Sequence, residues 1–243
     1  MRLQFIGCGD AFGSGGRSNT CFHVTGARTN FLFDCGATTL PALKAHKIDR
    51  LAIDTILITH FHGDHFGGIP FFMLDAMYVA KRTRPLTVAG PPGLTGWYAR
   101  ALAAAFPGER KLPFPLTLRE VEIGRRQEIA GLAVTPFQVI HDDKVGPCLA
   151  YRIEAEGKTV CYSGDTEWTD ALATAAQGAD LFVCECYMFG CGSPTHLDYD
   201  TLREKLPAIG ARRVVLTHMS EVMLAHLHEV REETAQDGMV VEF

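Results

Sequence analysis

The stretch Thr59-His60-Phe61-His62-Gly63-Asp64-His65 sets three imidazoles and a carboxylate within six residues. It follows an apolar run, Ile53 to Ile58, that reads as a buried β-strand. Residues two apart along an extended chain point the same way, so His60 and His62 can face one point. Gly63 permits a sharp turn that swings Asp64 and His65 toward a neighbouring point. Imidazole and carboxylate donors make a borderline-soft ligand set of the type that suits zinc. Four such side chains behind a buried strand would repel and desolvate one another without a cation. The chemistry expected here is metal binding.

Further ligand-type residues recur at or just past strand-like runs. His141 follows Val134 to Ile140, and Asp165 stands in Ser163-Gly164-Asp165-Thr166. Glu185 ends the run from Leu181, and His218 follows Arg213 to Thr217. Ligands at the ends of neighbouring strands can converge on one edge of a sandwich. Each has a plainer reading alone: a histidine after a strand is commonly structural, and Gly-Asp-Thr is a turn former.

His60-Phe61-His62-Gly63-Asp64-His65 resembles the His-x-His-x-Asp-His signature of the metallo-β-lactamase superfamily. The resemblance implies an αββα sandwich, two mixed β-sheets flanked by helices, with two metal sites between the sheets. It implies that His60, His62 and His141 hold one metal, that Asp64, His65 and His218 hold the other, and that Asp165 bridges both. Two zinc ions are the expected pair, with manganese or iron as alternatives. A hydroxide shared by the two cations would then be the nucleophile, with Asp64 among the catalytic residues as well as the ligands.

Other stretches are similar to the ribonuclease Z branch of that superfamily. They are Gly7-Cys8-Gly9 with Arg17-Ser18-Asn19, Phe33-Asp34-Cys35-Gly36, Gly90-Pro91-Pro92-Gly93 and Leu216-Thr217-His218-Met219-Ser220. In that branch a glutamate after a strand and a later histidine assist the leaving group, and the matching positions here are Glu185 and His196. His196 would protonate the departing oxygen, with Glu185 orienting its imidazole. The branch's His-Glu-Ala-Thr is replaced by Cys184-Glu185-Cys186-Tyr187. Between Leu94 and Ile140 there is no long basic Gly/Pro-rich insertion to act as a tRNA-gripping arm.

The elements that must position these residues read as strands alternating with helices. An opening meander covers Leu3 to Asp34, and helices are expected near Thr39 to His46, Ile69 to Ala80, Leu94 to Phe106, Asp170 to Ala176 and Asp198 to Leu206. Two β-rich halves with covering helices and no linker predict one α/β sandwich domain over residues 1–243. Three local expectations accompany this. The loop Gly13 to Thr20 could cradle a phosphate with its backbone N–H groups and Arg17. Asp34 could cap a helix or orient a metal-bound histidine. Lys81-Arg82-Thr83-Arg84 reads as a solvated helix end.

At 47% hydrophobic and 21% charged, the 243 residues can form a sizeable core. Lys plus Arg is 23 against 28 for Asp plus Glu, a net charge of −5, which argues against a binder that depends on neutralising many phosphates. The start at Met1-Arg2 runs into a strand without a signal-peptide core, and no window reaches membrane-spanning length. A cytoplasmic chain without membrane association is expected. The eight cysteines then read as buried thiols; Cys184, Cys186 and Cys191 lack zinc-knuckle spacing.

The function expected is a di-metal phosphodiesterase on a small or cyclic phosphodiester. The alternative on the same metals is a carboxylic ester, thioester or lactone hydrolase, with tRNA 3′-end cleavage third and tRNA disfavoured as a partner without being excluded. A catalytically dead metal-binding scaffold and a redox di-iron protein are the non-hydrolase readings. Analogy with the branch admits a homodimer.

Overall fold

Period-two patterning runs through the strands and shows which face each side chain takes. Phe31 and Phe33 point one way and Leu32 the other; Val160 and Tyr162 are likewise opposed to Cys161, and all six are buried. Burial on both faces is what a sheet covered by a second sheet and by helices requires. The computed structural model describes every residue except Cys191 and Ser193.

The first sheet is built from β1 (Arg2–Gly7), β2 (Cys21–Thr25), β3 (Asn30–Phe33), β4 (Thr55–Leu57), β5 (Leu86–Gly90) and β6 (Leu116–Glu120). The second contains β7 (Gln127–Ile129), β8 (Leu132–Val139), β9 (Cys148–Ala155), β10 (Lys158–Tyr162), β11 (Leu181–Glu185), β12 (Val214–Thr217) and β13 (Glu233–Thr234). The last strand, β14 (Val240–Glu242), returns to pair with β1, giving two sheets of seven strands. Both sheets are mixed in the same way. Antiparallel pairing runs up to β3 in one and β10 in the other, and parallel pairing runs from there to β6 and β13. This likeness between the halves is not visible in the sequence.

Between the sheets lies an aromatic core. The rings of Phe5 and Phe22, and of Phe22 and Tyr162, meet edge to face with centroids 4.9 Å apart. Helices α1 (Thr39–Ala45), α3 (Ile69–Tyr78) and α4 (Leu94–Ala105) cover the first sheet. Helices α5 (Asp170–Ala176) and α6 (Tyr199–Ile209) cover the second, while α2 (Gly63–Phe66) and α7 (Glu221–Ala225) are short and lie in the loops. The result is the expected αββα sandwich.

Several details differ from the expectations. Strand β4 ends at Leu57, so His60 and His62 project from extended loop rather than from the strand. Strands β7, β13 and β14, two or three residues each, carry too little pattern to be read beforehand. Arg82 is not solvated: it is 1% exposed and donates to the carbonyls of Arg84, Pro85, Arg50 and Leu51, closing the turn after α3. The described cysteines are all buried and free; Cys191, and with it the Cys184/Cys186/Cys191 cluster, lies outside the described residues. No helix among the described residues is long and apolar enough to cross a membrane.

Candidate active site

The carboxyl ends of five strands converge on one edge, where ligands bind in open α/β sheets. The motif loop follows β4, His141 follows β8, Asp165 follows β10, Glu185 ends β11 and His218 follows β12. Close backbone approach makes this convergence possible. A Cβ on Gly36 would sit 2.1 Å from the Asp64 carbonyl oxygen. Gly164, just before Asp165, has φ +59°, and a Cβ there would lie 2.5 Å from the Leu149 carbonyl oxygen. The motif loop is pinned to the end of β3 by Cys35 N donating to His65 O and Ala37 N to Gly63 O.

The seven expected ligands form two groups, His60 with His62 and His141, and Asp64 with His65, Asp165 and His218. Within each, one ligand atom per residue lies within 4.8 Å of every other. His62 Nδ1 faces the Nε2 atoms of His60 and His141, each at 3.1 Å. His65 Nε2 and His218 Nε2 are 3.3 Å apart. Asp165 Oδ2 lies 3.2 and 3.3 Å from those two nitrogens, and 3.9 Å from the Nε2 atoms of His60 and His141. The carboxylate therefore stands between the groups.

The other nitrogens of these rings show whether a cation fits. His65 Nδ1 donates to Asp34 Oδ2 at 2.7 Å. The Thr59 hydroxyl donates to the same oxygen at 2.8 Å and so accepts from His60 Nδ1 at 3.0 Å. His141 Nδ1 donates to the Thr195 carbonyl at 2.8 Å, and His62 Nε2 faces Asp142 Oδ2 at 3.3 Å. Each partner claims the ring's proton and leaves a lone pair on the inward nitrogen, the tautomer a metal ligand needs. Lone pairs facing one another at 3.1 Å require something positive between them. Asp165 Oδ1 is buried without a hydrogen-bond partner, and no lysine or arginine is within ion-pair distance of Asp64 or Asp165 among the described residues. The donor set fits a pair of divalent cations.

Without a cation, the buried carboxylates draw positive charge onto the imidazoles instead. Burial, reinforced by His65, holds His60 well below the ordinary histidine value. Burial also opposes charge on His65, but Asp165, Asp64 and Asp34 override it and raise its pKa. Burial opposes charge on Asp165, which His218 and His65 nevertheless hold well below the usual carboxylate range.

Beside the groups stands a second pair. His196 Nδ1 lies 3.0 and 3.2 Å from the two carboxylate oxygens of Glu185, which is fully buried and also accepts from the amides of Thr166 and Leu197. Burial lowers the His196 pKa, and the Glu185 charge more than offsets this, raising it to about 9. The His196 ring lies 4.7 Å from that of His141 and stacks on Tyr187 at 4.6 Å.

Asp142, the Thr195 carbonyl and Phe12 were not picked out from the sequence. Asp142 adjoins His141, which was the one local signal for it. The expected phosphate cradle at Gly13 to Thr20 is not formed. Gly15 N donates to Glu221, Ser18 N to Asp237 and Asn19 N to Thr38, and the amides of residues 12–14, 16 and 17 bond within the loop. Arg17 does not line the cleft; Lys144 is the sole lysine or arginine doing so among the described residues.

Fold and site together define a metal-dependent hydrolase with the metallo-β-lactamase fold. A family model described as "Beta-lactamase superfamily domain" matches residues 29–219, and the chain belongs to that superfamily. A ribonuclease Z of Geobacillus kaustophilus (strain HTA426) is 28% identical over 303 aligned positions, covering all of this chain and 97% of the relative. Human tRNase Z, short form, superposes with a TM-score of 0.80 at 22% identity, over 100% of this chain and 99% of that one. A diphosphatase from the PhnP family does so with a TM-score of 0.74 at 20% identity, over 100% and 97%.

Proposed function

We propose that the chain is a di-zinc phosphodiesterase acting on a small or cyclic phosphodiester. The observation that carries this reading is the pairing of buried Glu185 with half-buried His196, set against two complete His/Asp groups. In this reading His60, His62 and His141 hold one cation, Asp64, His65 and His218 the other, and Asp165 both. A pair of divalent cations held there would supply Lewis acidity, lowering the pKa of a bound water and neutralising charge on the phosphate. The protein's own part is orientation and proton transfer. Asp34, Thr59, Asp142 and the Thr195 carbonyl hold the imidazoles of His65, His60, His62 and His141 in the ligating tautomer. Glu185 takes Nδ1 of His196, which leaves Nε2 to give a proton to the departing oxygen. An alkoxide leaving group needs that proton, whereas the cleft holds no Ser or Cys nucleophile among its described lining residues.

A second reading, tRNA 3′-end cleavage, is favoured by the ribonuclease Z relatives. Two observations weigh against it. The 303 aligned positions exceed the 243 residues of this chain by 60, so that relative carries at least that much with no counterpart here. The connection from α4 to β6, residues 106–115, is ten residues long and projects no arm.

The test is hydrolysis of bis-p-nitrophenyl phosphate and of a nitrophenyl carboxylic ester by the same zinc-loaded sample. Phosphodiester turnover that is lost with chelator and restored by zinc is expected. Ester turnover without phosphodiester turnover would replace this reading with the ester or lactone one.

A further inference from the structure

We infer that Phe12 is the specificity platform of the cleft, stacking against a planar heteroaromatic ring, of nucleobase type, carried by a phosphate-ester substrate. Phe12 is 82% exposed, more than any other large hydrophobic side chain among the described residues. An exposed apolar residue alone needs no explanation. Here its place is what matters. Phe12 lines the same cleft, about 650 Å³ in volume, as His62, Asp64, His141, Asp165 and His218.

The loop that carries it is built to hold it out. Asp10 Oδ1 accepts from the amides of Phe12 at 3.2 Å and Ser14 at 2.9 Å, and Asp10 Oδ2 accepts the Ser14 hydroxyl at 2.7 Å. Asn19 Nδ2 donates to the Asp10 carbonyl at 3.0 Å, and Glu221 and Asp237 tie down Gly15 and Ser18 at 2.8 and 2.7 Å. Every amide from Phe12 to Asn19 is thereby committed to a protein acceptor. With the amides of residues 12–19 taken, what this part of the loop brings to the substrate is the ring of Phe12. With its backbone held in advance, Phe12 has only its side-chain torsions to fix on stacking.

The rest of the cleft suits such a ligand. Tyr187, stacked on His196 at an interplanar angle of 27°, gives the wall a second aromatic side chain. The metal groups form the anionic-oxygen end, and the volume lies within the range of small-molecule sites. A ligand with phosphate at one end and a planar ring at the other matches both. The inference rests on the phosphate-ester reading for the position of the phosphate; the ring contact is tested without turnover.

The experiment is calorimetric binding of adenosine 5′-monophosphate and ribose 5-phosphate to the zinc-loaded protein and to Phe12→Ala and Phe12→Tyr, all of which keep the Asp10 bracing. Base–aromatic stacking corresponds to roughly 5- to 150-fold in affinity. The wild type is expected to prefer the nucleotide by that order, Phe12→Tyr to retain the preference, and Phe12→Ala to lose it while ribose 5-phosphate binding moves far less. No nucleotide preference in the wild type overturns the inference. So does a preference that survives Phe12→Ala, or an equal loss for both ligands. Turnover of adenosine 2′,3′-cyclic phosphate and glycerol 1,2-cyclic phosphate is measured alongside. Absence of both with the affinity pattern intact would remove the phosphodiesterase reading and leave the stacking role standing.

Discussion

Asp34, the first residue past β3, holds Nδ1 of His65 at 2.7 Å. The same carboxylate accepts from the amide and hydroxyl of Thr59, so one fully buried group braces both ends of the motif loop. Asp34 occupies in the first sheet the place that Asp165 occupies in the second: just past the strand where antiparallel pairing gives way to parallel. One half thus supplies a carboxylate that orients ligands, the other a carboxylate that stands between them.

Asp34→Asn tests that role. Asp34 has φ +56°, which Asn tolerates, so the backbone is preserved while the charged acceptor is lost. Zinc affinity, read by competition with a chromogenic chelator, is expected to fall about 10- to 100-fold. Wild-type affinity would show that His65 needs no carboxylate to orient it.

His196→Ala should separate substrates by leaving group. General acid catalysis contributes roughly 10²- to 10⁴-fold, so hydrolysis of an alkyl phosphodiester should fall by that order. Release of p-nitrophenolate, a good leaving group, should fall far less. Equal losses on both would remove the proton-donor role.

Metal removal should destabilise the fold as well as stop turnover, because the Asp64 and Asp165 carboxylates are buried together with inward-facing lone pairs. Free zinc at about 100 times its Kd stabilises by about 2.7 kcal/mol. For a chain of this size that corresponds to a Tm difference of roughly 5–10 °C between zinc-loaded and chelated protein. Scanning calorimetry in zinc and in chelator measures it; coincident melting curves would place the metal outside the folded core.

Glu156 gives a pH dependence at the opposite end of the sandwich. In the turn between β9 and β10, it accepts from the amides of Ala27 and Arg28 in the turn between β2 and β3, each at 2.8 Å. These backbone hydrogen bonds, that of Arg28 foremost, lower its pKa to about 2. The stability this contributes is complete above the ordinary carboxylate value near 4.5 and is lost as pH falls through about 2. Glu156→Gln should therefore lower Tm relative to wild type at pH 6, and the gap should narrow steadily from pH 4 to pH 2.5. A gap independent of pH would assign the effect to shape rather than charge.

The sequence by itself made the ligand-type residues and the fold class legible. His60, His62, Asp64 and His65 are neighbours along the chain, so their convergence needs only a strand end and a turn. His141, Asp165, Glu185 and His218 were legible because strand-like runs lead into them; β8, β10, β11 and β12 run in the same direction and carry their carboxyl ends to one edge. Only the tertiary structure decided the rest, since the partners involved are remote in sequence. Asp237 and Glu221 take amides of the opening loop from more than 200 positions away, turning an expected phosphate cradle into a braced support for Phe12. Thr195 reaches His141 across 54 positions, and the carbonyls of Arg50 and Leu51, together with the turn after α3, bury an arginine that reads as solvated. Hydrogen-bond satisfaction is a property of the assembled neighbourhood, and no local spacing encodes which distant acceptor will claim a given donor.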